Sequence, residues 1–120
     1  MKPGYYLLFL VLILTLGCNQ QSYNKTASGI KTTIDSTVVE IQFFTPGIVR
    51  VIKSLPGETV EKKSLSVIKE AEKVSFKVSE SDNIISLVSD VLTVNLNSKT
   101  GTVSYLSASG DALLSEKAGS

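Results

Sequence analysis

The chain has 120 residues, with twelve basic and eleven acidic side chains, one cysteine and no histidine. This length is sufficient for one domain. Because the charge is balanced, the composition gives no indication of the basic surface that nucleic-acid binding requires. Because histidine is missing, a Ser-His-Asp triad, a Cys-His pair and a histidine-ligated zinc site are excluded. We therefore predict no metal ion, no cofactor and no nucleic-acid partner.

Residues 1–17 predict a signal peptide. Lys2 supplies a short positive region, and an apolar run of twelve residues, Tyr5–Leu16, follows it. A membrane-spanning helix needs roughly 20 apolar residues, whereas the apolar centre of a signal peptide is shorter. We therefore expect these residues to direct export and to take no part in the fold.

Cys18 is the candidate lipidation site. It follows Gly17 at the end of the apolar run, and this arrangement resembles the lipobox of bacterial lipoproteins. The match departs from the usual pattern, because Thr15 stands where leucine is common and Leu16 where a smaller residue is common. In lipoproteins the cysteine thiol receives a diacylglyceryl group, and two acyl chains anchor a protein stably. The alternative is an ordinary secretory signal with an incidental cysteine.

Residues 18–28 predict a polar tether between the membrane and the folded domain. No acidic cluster follows Cys18, whereas in Bacteroidetes-like lipoproteins such a cluster marks export to the cell surface. The resemblance therefore implies a lipid-anchored protein of the bacterial cell envelope that faces the periplasm rather than the exterior. Without residues 1–17 the charge is neutral, since 12 − 1 = 11 basic residues remain against 11 acidic ones.

From Gly29 onward, apolar residues recur at every second position, which is the pattern of half-buried strands. The apolar sets are Val39/Ile41/Phe43, Val74/Phe76/Val78, Leu92/Val94/Leu96 and Val103/Tyr105. Turn residues separate them, at Pro46-Gly47, Pro56-Gly57, Ser81-Asp82-Asn83, Asn97–Gly101 and Ser109-Gly110-Asp111. Gly101 is expected to take a positive φ. This succession predicts an all-β fold, an antiparallel β-sandwich over residues 29–120, with Val67–Lys73 as a connection.

Several of these segments together resemble the N-terminal domain of bacterial glycoside hydrolase family 31 enzymes, especially the α-xylosidases. They are Gly29–Ile34, Gln42–Ser54, Lys62–Ile68, Val74–Glu80, Leu92–Leu106 and Gly110–Glu116. The resemblance implies a galactose-mutarotase-like sandwich that packs on a catalytic (β/α)8 barrel. Such a barrel typically needs about 250 residues. The family's catalytic aspartates lie on the barrel, so none can be assigned in this sequence.

The resemblance also implies that the sandwich is truncated and that sequence beyond Ser120 completes it. We therefore expect unpaired strand edges and an uncovered apolar face in the isolated chain. The residues expected on that face are Leu92, Val94, Val103 and Tyr105. Exposed edges and apolar patches of this kind recruit other chains.

Phe44 and Arg50 are the candidates for contact with another domain or with a glycan. Arg50, the single arginine, should share a strand face with Ile48 and Ile52; the favoured alternative is a strand arginine paired with a carboxylate. Phe44 should face away from Phe43; the favoured alternative places its ring in the core between the sheets. No catalytic carboxylate pair is predicted, because Glu70/Glu72 and Glu80/Asp82 read as solvated surface charges.

Two functions follow from this sequence. In the first, the chain is the non-catalytic N-terminal domain of a lipid-anchored, α-xylosidase-like hydrolase, whose barrel acts on α-xylosides or related α-glycosides. In the second, it is a stand-alone lipoprotein whose sandwich binds a glycan or a protein partner. The choice between xyloside and glucoside depends on barrel residues that this chain does not contain.

Overall fold

The computed structural model describes residues 21–58 and 73–117, and these ranges form nine antiparallel strands in two sheets. The first sheet contains β1 (Asn24–Lys25), β2 (Gly29–Ile34), β3 (Thr37–Thr45) and β4 (Ile48–Ser54). The second contains β5 (Lys77–Ser81), β6 (Ile84–Val88), β7 (Leu92–Asn97), β8 (Val103–Ser107) and β9 (Ala112–Ser115). Strands lie side by side in chain order within each sheet. The predicted antiparallel all-β architecture is confirmed.

The predicted signal peptide and most of the predicted connection at Val67–Lys73 lie outside the described residues. Within the described ranges, no helix is long and apolar enough to cross a membrane.

Short turns fix the register of the strand pairs. Asp35 and Ser36 join β2 to β3 with φ values of 47° and 62°, and Asp82 and Asn83 join β5 to β6 with 50° and 63°. Positive φ at both central residues is characteristic of the type I′ turn, whose backbone matches the right-handed twist of the two strands of a hairpin. Gly101, between β7 and β8, has a φ of 74°, as the sequence predicted.

The inner faces of the two sheets form one apolar core. Completely buried side chains come from both sheets, so each sheet covers the inner face of the other. These side chains are Ile30, Val39, Ile41, Phe43, Ile85, Leu87, Val94, Leu96 and Val103. Phe43 and Phe76 are in contact across the core, with ring centroids 5.5 Å apart. The alternation in the sequence assigned the inner positions of β3, β7 and Val103 correctly, whereas Ile30, Ile85 and Leu87 were not among the predicted apolar sets.

The expectation of an uncovered apolar face was wrong for the residues named. Leu92, Val94 and Val103 are only 9%, 0% and 1% exposed, because the four-stranded sheet covers them. Tyr105 is half-buried and packs against the core. Its burial, and to a smaller extent the neighbouring Glu116 carboxylate, raise the pKa of its hydroxyl above the usual value.

Two element boundaries also differ from the prediction. Val74 and Phe76 pack in or against the core as expected, but they precede β5, which begins only at Lys77. Within the predicted tether, β1 pairs with β2, and Tyr23 packs against the core. The fold therefore begins before Gly29, because the polar sequence around β1 includes an aromatic side chain that the core can bury.

The buried hydroxyl of Ser89 joins the two sheets at one end of the sandwich. It donates to the Pro46 carbonyl oxygen at 2.6 Å and accepts from the Leu92 amide at 3.1 Å. The turn after β3 is thereby held against the turn after β6. In keeping with this contact, a Cβ atom at Gly47 would lie 3.6 Å from a methyl carbon of Val91.

Gly29 occupies a position at which β2 and β3 leave no room for a side chain. A Cβ atom there would lie 1.7 Å from the Ile41 carbonyl oxygen. We expect Gly29→Ala to lower the free energy of unfolding by about 1–3 kcal/mol, the usual cost of overpacking. The matched control is Gly47→Ala, whose added methyl group makes only ordinary contacts. Chemical denaturation measures both, and equal stability of the two variants would contradict the prediction.

Candidate functional site

The candidate site lies on the outer face of the four-stranded sheet, the face turned away from the core. The pairing of β2, β3 and β4 places Gln42 between Gly29 and Arg50 in one row across the sheet. The neighbouring row holds Lys31, Glu40 and Ile52. We call these two rows, together with Phe44 and Ile48, the outer patch.

Arg50 occupies the predicted strand face. Alternation along β4 places Ile48 and Ile52 on the same face, whereas Val49 and Val51 pack against the core. Arg50 forms no ion pair with the carboxylates of residues 21–58 and 73–117, where the ion pair observed joins Lys53 and Glu116. Pairing of Arg50 with a carboxylate outside these ranges stays a prediction.

Phe44 lies outside the apolar core, and the favoured interpretation of its ring as an inter-sheet side chain is wrong. The strand pairing shifts between Phe43 and Thr45, so Phe44 is the additional residue of a β-bulge. Bulges redirect side chains at the edge of a sheet. Phe44 is half-buried and is not among the side chains that pack against the core.

Polar groups at the centre of the outer patch are preorganised. The Gln42 side-chain amide donates to a Glu40 carboxylate oxygen at 2.5 Å. Gly29 lies across from Gln42 on β2 and contributes no side chain to this row. Lys31 and Arg50 flank the Glu40 carboxylate in neighbouring positions of the sheet, so the patch carries one acidic and two basic groups.

The residues of the outer patch do not include a pair of carboxyl groups. A retaining glycosidase needs two carboxyl groups about 5–5.5 Å apart, and Glu40 is the one carboxylate of the outer patch. Glu80 and Asp82 are both exposed, as expected of surface charges, and Glu80 accepts a 2.6 Å hydrogen bond from the Ser22 hydroxyl. In the described ranges, no group of three or more acidic or cysteine side chains is placed to hold a metal ion.

Sequence reasoning named Phe44 and Arg50 but missed Glu40 and Gln42. The strand pairing brings Glu40, Gln42 and Arg50 to one face of the sheet, and Phe44 lies at the bulge next to them. The missed signal was the polar half of the alternation in β3, where Glu40 and Gln42 interrupt the apolar positions. Cys18, the predicted lipidation site, lies outside the described residues.

Comparisons with known proteins identify relatives among α-glycosidases. The chain is 31% identical over 98 residues to Alpha-glucosidase 2 from Bacillus thermoamyloliquefaciens, covering 82% of this chain and 12% of that enzyme. Its fold matches the crystal structure of a glycoside hydrolase family 31 α-xylosidase from Xanthomonas citri with a TM-score of 0.72 and 27% identity. That match covers 80% of this chain and 11% of the enzyme. No family model matches the sequence.

Phe43 and Phe44 provide a direct test of the two faces of β3. We expect Phe43→Ala to cost about 3–5 kcal/mol, as for other buried aromatic residues, because the side chain is completely buried. Phe44→Ala should cost clearly less, since its ring lies outside the core. Urea denaturation of the two variants measures the difference. A larger loss for Phe44→Ala would show that the ring belongs to the core.

Proposed function

Since the described sandwich is an N-terminal domain of glycoside hydrolase family 31, we propose that this chain is the non-catalytic N-terminal part of a lipid-anchored α-glycosidase. The observation that supports the proposal is the extent of the two matches. Each covers about four-fifths of this chain but only 11–12% of the enzyme. The chain spans about a tenth of the length of these relatives, and their catalytic machinery needs sequence beyond that match.

We propose that the substrate is an α-xyloside or a related α-glucoside. The two relatives are called an α-glucosidase and an α-xylosidase, and both names describe the removal of an α-linked sugar. The chemistry would use two carboxylates on a catalytic barrel, whereas this chain would position that barrel. Its rigid two-sheet core suits a positioning role, because well-packed interiors transmit force with little deformation.

The proposed contact between sandwich and barrel includes Phe44 and Arg50. Aromatic and arginine side chains are enriched at the centres of protein interfaces, where lysine and glutamate are depleted. Arg50 has a guanidinium group without a described acidic partner, and an acidic group of the barrel could pair with it. A glycan that stacks on Phe44 is the alternative ligand for the same face.

Lipid anchoring at Cys18 is the second part of the proposal. Cys18 follows an apolar run and Gly17, and acylation there would attach the protein to the periplasmic side of the envelope.

The assignment to an α-glycosidase is tested by activity. Purified residues 19–120 should not hydrolyse an aryl α-xyloside or aryl α-glucoside above a blank. The polypeptide encoded by the continued reading frame should hydrolyse at least one of them. A stop codon directly after Ser120, or an inactive longer polypeptide that is folded, would contradict the proposal and favour a stand-alone binding lipoprotein.

The substitution Cys18→Ser, which replaces the thiol sulfur with oxygen, tests the predicted lipid anchor. We expect the unmodified protein to fractionate with membranes and Cys18→Ser to appear in the soluble fraction, because the serine hydroxyl does not receive the diacylglyceryl group. Mass spectrometry should find the acyl mass on Cys18 at a new N-terminus. An intact N-terminus, or cleavage at another bond, would contradict lipidation.

A further inference from the structure

The N-terminal end of the described chain is fixed to the sandwich along β5. The Ser22 hydroxyl donates to a Glu80 carboxylate oxygen at 2.6 Å, and the Ser22 carbonyl oxygen accepts the Thr32 hydroxyl, also at 2.6 Å. Tyr23 packs against the core, and β1 extends the first sheet by pairing with β2. The chain therefore belongs to the folded domain from Ser22 onward.

These contacts cover one side of the sandwich, between β1 and β5, which we call the closed side. The Lys25 ammonium lies 5.1 Å from the centre of the Phe76 ring there. The opposite side, between β4 and β9, is the open side, where Leu113 and Leu114 are 59% and 67% exposed. The five-stranded sheet separates the two sides by about 19 Å at the usual spacing of strands.

The connection between Cys18 and the closed side is short. Residues 19–21 separate Cys18 from Ser22, and an extended chain spans at most about 3.6 Å per residue. The Cys18 backbone therefore lies within about 14 Å of Ser22. A tether over residues 18–28, as the sequence predicts, would have allowed a reach of about 40 Å. The contacts of Ser22 and Tyr23 remove most of this freedom.

The surface of the closed side is polar. Lys25 and Lys77 are exposed on either side of Phe76 in β1 and β5, and Glu80 and Asp82 are exposed toward the β5–β6 turn. Large exposed apolar side chains of the described ranges belong to other elements, and they are Ile48, Leu55, Val88, Val91, Leu113 and Leu114. Charged groups are costly to bury in hydrocarbon, whereas ammonium groups are attracted to anionic lipid headgroups. The closed side is therefore suited to the headgroup layer of a bilayer.

We propose that the closed side is the membrane-facing surface of the anchored protein, held against the phospholipid headgroups by its short connection to Cys18. The inference rests on the lipid anchor of the proposed function. With the acyl chains of Cys18 in the bilayer, Ser22 stays within about 14 Å of the headgroup layer. This reach is shorter than the width of about 19 Å between the two sides, so the open side cannot turn toward the membrane.

The orientation places the strands at graded heights above the bilayer. β5 lies at the headgroups, and β9 lies about 19 Å further away. The described chain leaves the sandwich at Lys117, two residues after β9. In the proposed enzyme, the sandwich would therefore separate the catalytic barrel from the membrane surface.

Acetylation of the native lysines tests the inference. The acylated protein is added to preformed vesicles of phosphatidylethanolamine and phosphatidylglycerol, and the Cys18→Ser protein in solution is the reference. The probe is the sulfo-N-hydroxysuccinimide ester of acetic acid, and mass spectrometry measures the rate at each lysine. We expect Lys25 and Lys77 to react at least about tenfold more slowly on the vesicles, because reaction then requires a minor orientation of the protein. Lys53 on the open side and Lys99 in the β7–β8 turn should react equally in both states.

A longer connection provides a matched variant. Insertion of about twelve glycine and serine residues after Gln20 adds a mean span of roughly 19 Å and leaves the described fold unchanged. Lys25 and Lys77 should then react at their solution rates, while the protein stays in the membrane fraction. Slow acetylation that persists in this variant would overturn the role of the short connection.

The outcomes separate this inference from the proposed function. If Cys18 is acylated but Lys25 and Lys77 keep their solution rates, or if Lys31 or Lys53 is protected instead, the proposed orientation is overturned and the anchor remains. If Cys18 is unmodified in cells, the anchor of the proposed function fails. The free thiol is then coupled to a maleimide phospholipid in the same vesicles, and the lysine rates still decide which side faces the membrane.

Discussion

The burial of two one-sided sheets against each other is the constraint on which the rest of this structure depends. Each sheet has an apolar inner face and a polar or mixed outer face, so neither sheet can bury its apolar side chains without the other. Phe43 and Phe76 meet between the sheets, and completely buried aliphatic residues of β2, β3, β6, β7 and β8 surround them. The site, the turns and the edges all take their positions from this core.

Polar contacts at the perimeter fix how the sheets lie on each other. Ser89 joins the turns at one end, Ser22 joins the N-terminal segment to Glu80 on the closed side, and Lys53 joins Glu116 on the open side. An exposed ion pair contributes little stability, so the last contact matters chiefly for geometry. The buried Ser89 hydroxyl contributes more, because removing it leaves buried backbone groups without partners.

Two surfaces of the sandwich follow from the same architecture. The outer face of β3 and β4 carries Glu40, Gln42 and Arg50 because the core takes only the alternate positions of these strands. Leu114 of β9 is exposed because the inner row of the five-stranded sheet extends beyond the part that the four-stranded sheet covers. In the proposed enzyme, the outer face of β3 and β4 would join this sandwich to the catalytic barrel.

The sequence by itself determined most of the strands, most of the turns and many of the inner residues, because side chains alternate with period two and glycine, asparagine and aspartate favour positive φ. It also determined the family and the strand face of Arg50. Only the tertiary structure decided that the inner row of β7 and β8 is covered, that Phe44 leaves the core at a bulge, and that Glu40 and Gln42 join Arg50. Contacts such as Lys53–Glu116 and Ser89–Pro46 connect residues far apart in the chain. Local patterns carry no information about such pairs, since they depend on how two complete sheets pack.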